Sequence, residues 1–227
     1  MPVQTNSKKG SPPGGGSQDA RRGQMLAAAL DVIVERGFPE TRIADVAERA
    51  EVSPALVIYY FKTKDRLLTE ALRYAEAKWY AEGARRMAEL PTAARRLEEL
   101  VAMTCLPDGP GDSLSPTEES WAIWLDLWAA ALRHEEVRAV REESDEQWRE
   151  TIRAVVRQGQ QAGEFDGVDV EEFTVGFSAL LDGLAIQIAL DDPVVTPRMA
   201  FELAMEMAAS RLGFSWSKQR VRARRPR

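Results

Sequence analysis

Apolar residues recur at spacings of three and four along almost the whole chain, and no segment sustains the alternation of a half-buried strand. The pattern predicts an all-α protein of about nine helices. The first covers residues 19–36, with Met25, Leu26, Ala29, Leu30, Ile33 and Val34 on one side and Gly37 as its stop. The second starts at Thr41, a residue able to cap free N–H groups, and carries Ile43, Val46, Ala47 and Ala50. The third is short, residues 54–60, with Ser53 as cap and Pro54 in the first helical position. Thr63 caps a long fourth helix ending before Pro91. The remaining helices are expected at 92–106, 117–133, 135–163, 170–190 and 197–212, separated by breaker-rich segments such as "PDGPGDSLSP".

The second and third helices are joined by a tight turn, "EVSP", which makes a helix-turn-helix. Within the third, Val57 and Phe61 fall on one face and point into a small core with Leu30, Ile33, Ile43 and Val46. Pro54, Ala55, Ile58 and Tyr59 fall elsewhere. A short helix with an apolar inner face and an aromatic outer face suits the major groove of DNA. Lys62 and Lys64 then supply charge for the flanking phosphates. The other reading of residues 54–61 is a core helix of a bundle. Against it stand the shortness of the segment and the capped helices on both sides.

Charge sharpens this division. The net charge is −6, yet residues 18–66 hold eight basic and eight acidic side chains, whereas residues 67–216 hold 14 basic and 28 acidic. The segment 217–227 adds six basic residues. A local DNA-binding head on an acidic body is compatible with these figures, because phosphate contact needs a local positive face. The chain therefore divides into a disordered tail (1–17), a DNA-binding head (18–66), a helical body (67–214) and a basic tail (215–227). No uncharged apolar run of membrane-spanning length and no export signal stands in the sequence, and a single cysteine, Cys105, fits a reducing, cytoplasmic setting.

Catalysis finds little support. His134 is the only histidine, and neither a metal site, nor a nucleophile elbow, nor a phosphate-cradling glycine loop is assembled by the sequence. No cofactor or metal is called for.

The stretch "TRIADVAERAEVSPALVIYYFKTKDRLLTEAL" resembles the N-terminal DNA-binding region of the TetR family of transcriptional regulators, over residues 20–72. The resemblance rests on Ile43, Ala44 and Ala47, on Val52-Ser53 at the turn, and on Tyr60-Phe61, Lys64 and Leu67-Leu68. It implies phosphate contacts from Thr41 and Arg42, base or backbone contacts from Ser53, Pro54, Ala55 and Tyr59, and phosphate contacts from Tyr60 and Lys64. Arg21 and Arg22 are either groove contacts or solvated surface residues. The sequence departs from the family pattern in three places. Glu51 stands where a turn glycine is common, and Leu56 and Ile58 replace polar contact residues.

The body, from "ESWAIWLDLWAAAL" to "LLDGLAIQIAL", is similar to the choline-responsive BetI-type branch of that family. Trp121, Trp124 and Trp128 fall on one helix face, which fits core packing, the wall of a pocket, or a cage for an ammonium ion. Met103, Trp148, Phe177, Leu180 and Leu184 are candidates to complete a ligand pocket. Asp182, in an apolar run, is read as a cap or interhelical hydrogen-bonding group ahead of a cation ligand. Asp126 lies off the tryptophan face and is read as solvated. The last two helices offer Phe173, Phe177, Leu181, Phe201, Met205 and Ala208 as a homodimer surface, with burial inside one chain as the alternative. The resemblance thus implies a ligand-responsive repressor that binds a palindromic double-stranded DNA operator as a homodimer and leaves it when a small-molecule effector binds. A ligand-independent architectural DNA-binding protein is the alternative.

Overall fold

The computed structural model describes residues 15–106 and 118–218, except the side chains of residues 15–17, 118–120 and 122. The expectations for residues 1–14, for the loop at 107–116 and for the tail beyond 218 lie outside the described residues. All regular structure among the described residues is helical: α1 (Gly15–Arg36), α2 (Ile43–Arg49), α3 (Pro54–Phe61), α4 (Lys64–Ala88), α5 (Ala93–Cys105), α6 (Glu118–Ala131), α7 (Glu135–Gln161), α8 (Val170–Ala189) and α9 (Pro197–Leu212).

Sequence signals account for most of the boundaries. The hydroxyls of Ser53, Thr63, Thr92 and Thr196 accept from the amides of Leu56, Arg66, Arg95 and Met199, and the Asp169 carboxylate accepts from Glu172. Each bond satisfies a donor that the first helical turn leaves free. Gly37 stops α1 with φ +82, and Gly213 stops α9 in the left-handed region. Two boundaries depart from expectation. α1 begins at Gly15, inside the segment read as tail. α2 begins at Ile43 with Arg42 as N-cap, because the Thr41 hydroxyl turns back and donates to the Gly37 carbonyl at 2.8 Å. The expected cap is a buried turn residue.

Two hydrophobic cores organise the chain. The first gathers Met25, Ala29, Ile33, Val46, Val57, Phe61, Leu67 and Leu68 from α1–α4, and it also takes Leu127 and Ala131 from α6 and Val137 from α7. The second is built from α5, α7, α8 and α9 around Leu97, Leu100, Ile152, Phe173, Phe177, Leu181, Phe201 and Met205. α4 serves both: Leu68 and Leu72 are buried in the first, and Trp79 and Met87 pack on the second. At 25 residues and about 1.5 Å per residue it is long enough to do so.

α8 has the length and composition to cross a membrane, with a mean hydropathy of 1.3 over its most apolar window. In this fold Phe173, Phe177 and Leu181 of α8 are instead the centre of the second core.

Candidate functional site

The first candidate surface is the outer face of α3. Val57 and Phe61 are buried, as the spacing requires, so the opposite side of the helix is left outside. Tyr59 is 69% exposed and Ile58 48%. Arg42, Ser53, Pro54, Ala55 and Lys62 are exposed beside them, while Tyr60 and Lys64 are half-buried. Tyr59 meets Tyr60 edge-on at 5.6 Å between ring centres. The Lys62 ammonium lies 5.1 Å from the Tyr59 ring and donates to the Tyr59 carbonyl at 2.8 Å. Lys64 stands at the first turn of α4, where the helix dipole favours an anion, and donates to the Pro39 carbonyl at 2.6 Å.

Thr41 is the exception among the residues expected at phosphate. It is fully buried and its hydroxyl is engaged inside the turn, so its side chain offers nothing to a ligand. Arg22 is also committed internally: it pairs with Glu70 and lies over the Phe61 ring. Glu51 holds φ +54 at the turn, the conformation for which glycine is the common choice.

The second candidate site is a cavity of about 150 Å³ in the body. Its wall combines five tryptophans (Trp79, Trp121, Trp124, Trp128 and Trp148) with Tyr80, Met103 and three carboxylates, Glu76, Asp145 and Asp182. α4, α5, α6, α7 and α8 each contribute. No lysine, arginine or histidine stands among the described lining residues. Trp79 and Trp148 meet edge-to-face with ring centres 5.8 Å apart, which fixes one corner. The hydroxyls of Thr104 and Ser144 donate to the carbonyls of Leu100 and Val140 of their own helices, at 2.9 and 3.0 Å.

The carboxylates differ in their surroundings. Asp145 is paired with Arg141. Burial pushes the Asp182 carboxyl up to about 6, reinforced by the charge of Asp145 and opposed by Arg149 and Arg141. Burial also raises Glu76, against the neighbouring Ser144 hydroxyl and the charge of Arg73. The Tyr80 phenol is pushed up, first by burial and then by Glu76, Asp182 and Asp145. An electronegative pocket with aromatic walls is a chemical match for an organic cation.

Of the residues expected in a ligand pocket, Met103, Trp121, Trp124, Trp128 and Trp148 line this cavity. Phe177, Leu180 and Leu184 do not: Phe177 and Leu184 are buried in the second core and Leu180 packs against it. They share α8 with Asp182 but face the other way. Asp182, read as a cap or interhelical hydrogen-bonding group ahead of a cation ligand, lines the cavity. Glu76, Trp79, Tyr80 and Asp145 were not anticipated. Their one sequence signal is spacing: Glu76, Trp79 and Tyr80 recur at three and four along α4.

The expected dimer residues also require correction. Phe173, Phe177, Leu181, Phe201, Met205 and Ala208 are all buried within the single chain. The largest apolar residues of α8 and α9 form the stripe that packs on α5 and α7, so a partner would meet the opposite side. There Val175, Met199 and Leu203 are exposed, and space beyond Gly176 is open. Asp126, expected to be solvated, is half-buried and accepts a hydrogen bond from the Phe38 amide at 2.7 Å.

Comparison with known proteins places these features. Residues 93–213 match the C-terminal family of BetI-type transcriptional repressors, and residues 25–71 match the tetR family of bacterial regulatory proteins. The HTH-type transcriptional regulator BetI of Burkholderia lata is 28% identical over 190 residues, which covers 83% of this chain and 92% of that protein. Among solved structures, a Saccharomonospora viridis protein described as a transcriptional regulator, in complex with choline, superimposes with a TM-score of 0.74 at 27% identity. That match covers 86% of this chain and 98% of the other. A Rhodococcus protein described as a TetR-family regulator gives 0.73 at 26%, over 86% of this chain and 99% of its own.

Proposed function

Because the chain belongs to the TetR family of transcriptional regulators, with a BetI-type C-terminal half, we propose that it is a cytoplasmic repressor released from DNA by a small organic cation. In this reading residues 18–66 form the DNA-binding head and residues 67–214 the effector-binding and dimerising body. Arg42, Tyr60, Lys62 and Lys64 hold phosphates, and Ser53, Pro54, Ala55 and Tyr59 meet base edges or adjoining backbone. Ile58 meets a thymine methyl or a sugar. A homodimer packs the outer faces of α8 and α9, with Val175, Met199 and Leu203, against those of its partner. Its two heads then read a roughly palindromic operator.

The observation that carries the effector assignment is the composition of the cavity wall: five tryptophans and three carboxylates with no basic side chain among the described lining residues. Tryptophan faces attract a quaternary ammonium, and a low-dielectric carboxylate supplies the counter-charge. Choline is the first candidate, since the structural relative from Saccharomonospora viridis holds it.

The test is binding of the purified chain to its own upstream intergenic DNA, against unrelated DNA of equal length at near-physiological salt, with choline followed by tryptophan fluorescence. The account expects selective binding by two protomers per site and a choline-dependent change in fluorescence. Equal, steeply salt-dependent binding to both DNAs contradicts the regulator reading. An uncharged isostere of choline binding as tightly as choline contradicts the cation assignment.

A further inference from the structure

α6 carries two sets of contacts. Trp121, Trp124 and Trp128 form part of the cavity wall, while Leu127 and Ala131 are buried in the head's core. Asp126, off the tryptophan face, reaches across to the turn between α1 and α2 and accepts from the Phe38 amide at 2.7 Å. Sequence separation alone would not suggest this bond, which joins residues 88 positions apart. Gly37 makes room for it: a Cβ there would stand 3.1 Å from the carboxylate oxygen, and the residue's φ is +82.

The same turn is closed on itself just before α2 and is bonded to the start of α4. The Gly37 carbonyl accepts the Thr41 hydroxyl at the entrance to α2, and the Pro39 carbonyl accepts the Lys64 ammonium at the start of α4. Phe38 is itself buried in the head's core. Residues 37–41 are therefore a junction, and Asp126 is its hydrogen bond to the helix that walls the cavity.

We propose that Asp126 is the positioning residue that transmits cavity occupancy to the reading head, by holding the 37–41 turn to α6. The inference rests on the effector-regulator reading above. A shift of α6 as a cation settles among its tryptophans moves the Asp126 carboxylate, and with it the turn that leads into α2 and accepts Lys64 at the start of α4. The acceptor oxygen matters here, because it satisfies an amide that the protein buries.

The experiment uses the full chain as wild type, Asp126→Ala and Asp126→Asn. It measures choline affinity by tryptophan fluorescence, and affinity for the upstream DNA with and without saturating choline. Asp126→Ala is expected to bind choline like the wild type while its choline-driven weakening of DNA binding is at least about fivefold smaller. Asp126→Asn, which keeps an acceptor oxygen, is expected to retain most of that response. A full response in Asp126→Ala overturns the proposal, as does an equal loss in both variants.

Amide exchange separates this failure from failure of the effector assignment, and it also serves if Asp126→Ala does not fold. In the wild type, operator DNA is expected to alter exchange in residues 118–131 as well as in the head. That change, seen in a protein whose DNA binding ignores choline, sinks the choline assignment and supports the latch. Exchange in 118–131 that ignores operator overturns the latch even where choline releases the DNA.

Discussion

The proposed reading face lies on one contiguous stretch, between Arg42 and Lys64, whereas the cavity draws its wall from residues spread between Leu72 and Asp182. The face presents exposed Arg42 and Lys62; the cavity is concave, and its described charged lining residues are all acidic. Helices and their caps present the face, and helices alone wall the cavity among the described residues. The difference lies in what fixes them: caps and a turn set the face locally, while the cavity exists only once five helices have packed. A polyanion and a small cation can therefore be handled by one chain with no overlap of recognition chemistry. Communication between them has to pass through an element shared by both, and α6 is such an element.

The largest effects should come from the two cores. Phe61→Ala in the head and Phe177→Ala in the body each remove a fully buried ring, at an expected cost of about 3–5 kcal/mol. All six tryptophans lie at or beyond Trp79, and of the five in the cavity wall Trp124 alone also packs against the head's core, so their fluorescence reports mainly the body. Phe61→Ala should lower the melt seen by circular dichroism more than the melt seen by tryptophan fluorescence, and Phe177→Ala should lower both together. Coincident melts in Phe61→Ala would mean that the regions unfold as one unit and that the contrast between them is only geometric.

Next in size is the charge of the cavity. The Asp182 carboxyl sits at about 6, above an ordinary value of about 3.9. In the free protein this group therefore favours folding in its protonated form, an advantage fully present below about 3.9 and lost as pH rises from there through about 6. Cation binding needs the carboxylate and runs the other way. Choline affinity should fall as pH drops from 7 to 5, with Glu76, Asp145, Arg141 and Arg149 as the facing charges. Asp182→Asn should bind choline about tenfold more weakly at pH 7 and flatten the pH profile. An unchanged profile, measured by fluorescence titration, would remove Asp182 from the site.

Smaller effects are expected at the reading face. Tyr59→Ala exposes no core, so the protein should stay folded while specific DNA affinity drops about tenfold; unchanged affinity for the upstream DNA would sink the assignment of α3 as the reading helix. Glu51→Gly, at the turn residue with φ +54, should raise head stability by about 0.5–1 kcal/mol. Denaturant midpoints would show it, and a loss of stability would mean that the Glu51 side chain has an offsetting role.

The same contrast explains what could be read in advance. Ser53, Pro54, Val57 and Phe61 declare the head because capping and helical period are local properties. The positions of Trp121, Trp124 and Trp128 also declared a shared face. What that face met depended on α4 and α7, whose Glu76, Trp79 and Asp145 are distant in sequence. On α8 the period located two faces without saying which one turned to the cavity. The large apolar stripe through Phe177 and Leu181 went to the core and left Asp182 to the cavity. Thr41 failed for a related reason: a good capping residue found a nearer partner in the Gly37 carbonyl, and Arg42 took the cap position.

The central claim is that occupancy of an acidic aromatic cavity and grip on DNA are linked states of one molecule. The most direct test measures both affinities on one preparation: DNA affinity with and without saturating choline, and choline affinity with and without saturating upstream DNA. Linkage requires the same factor in both directions, and the account predicts weakening of at least about fivefold. Tight binding of both ligands, each indifferent to the other, would contradict it.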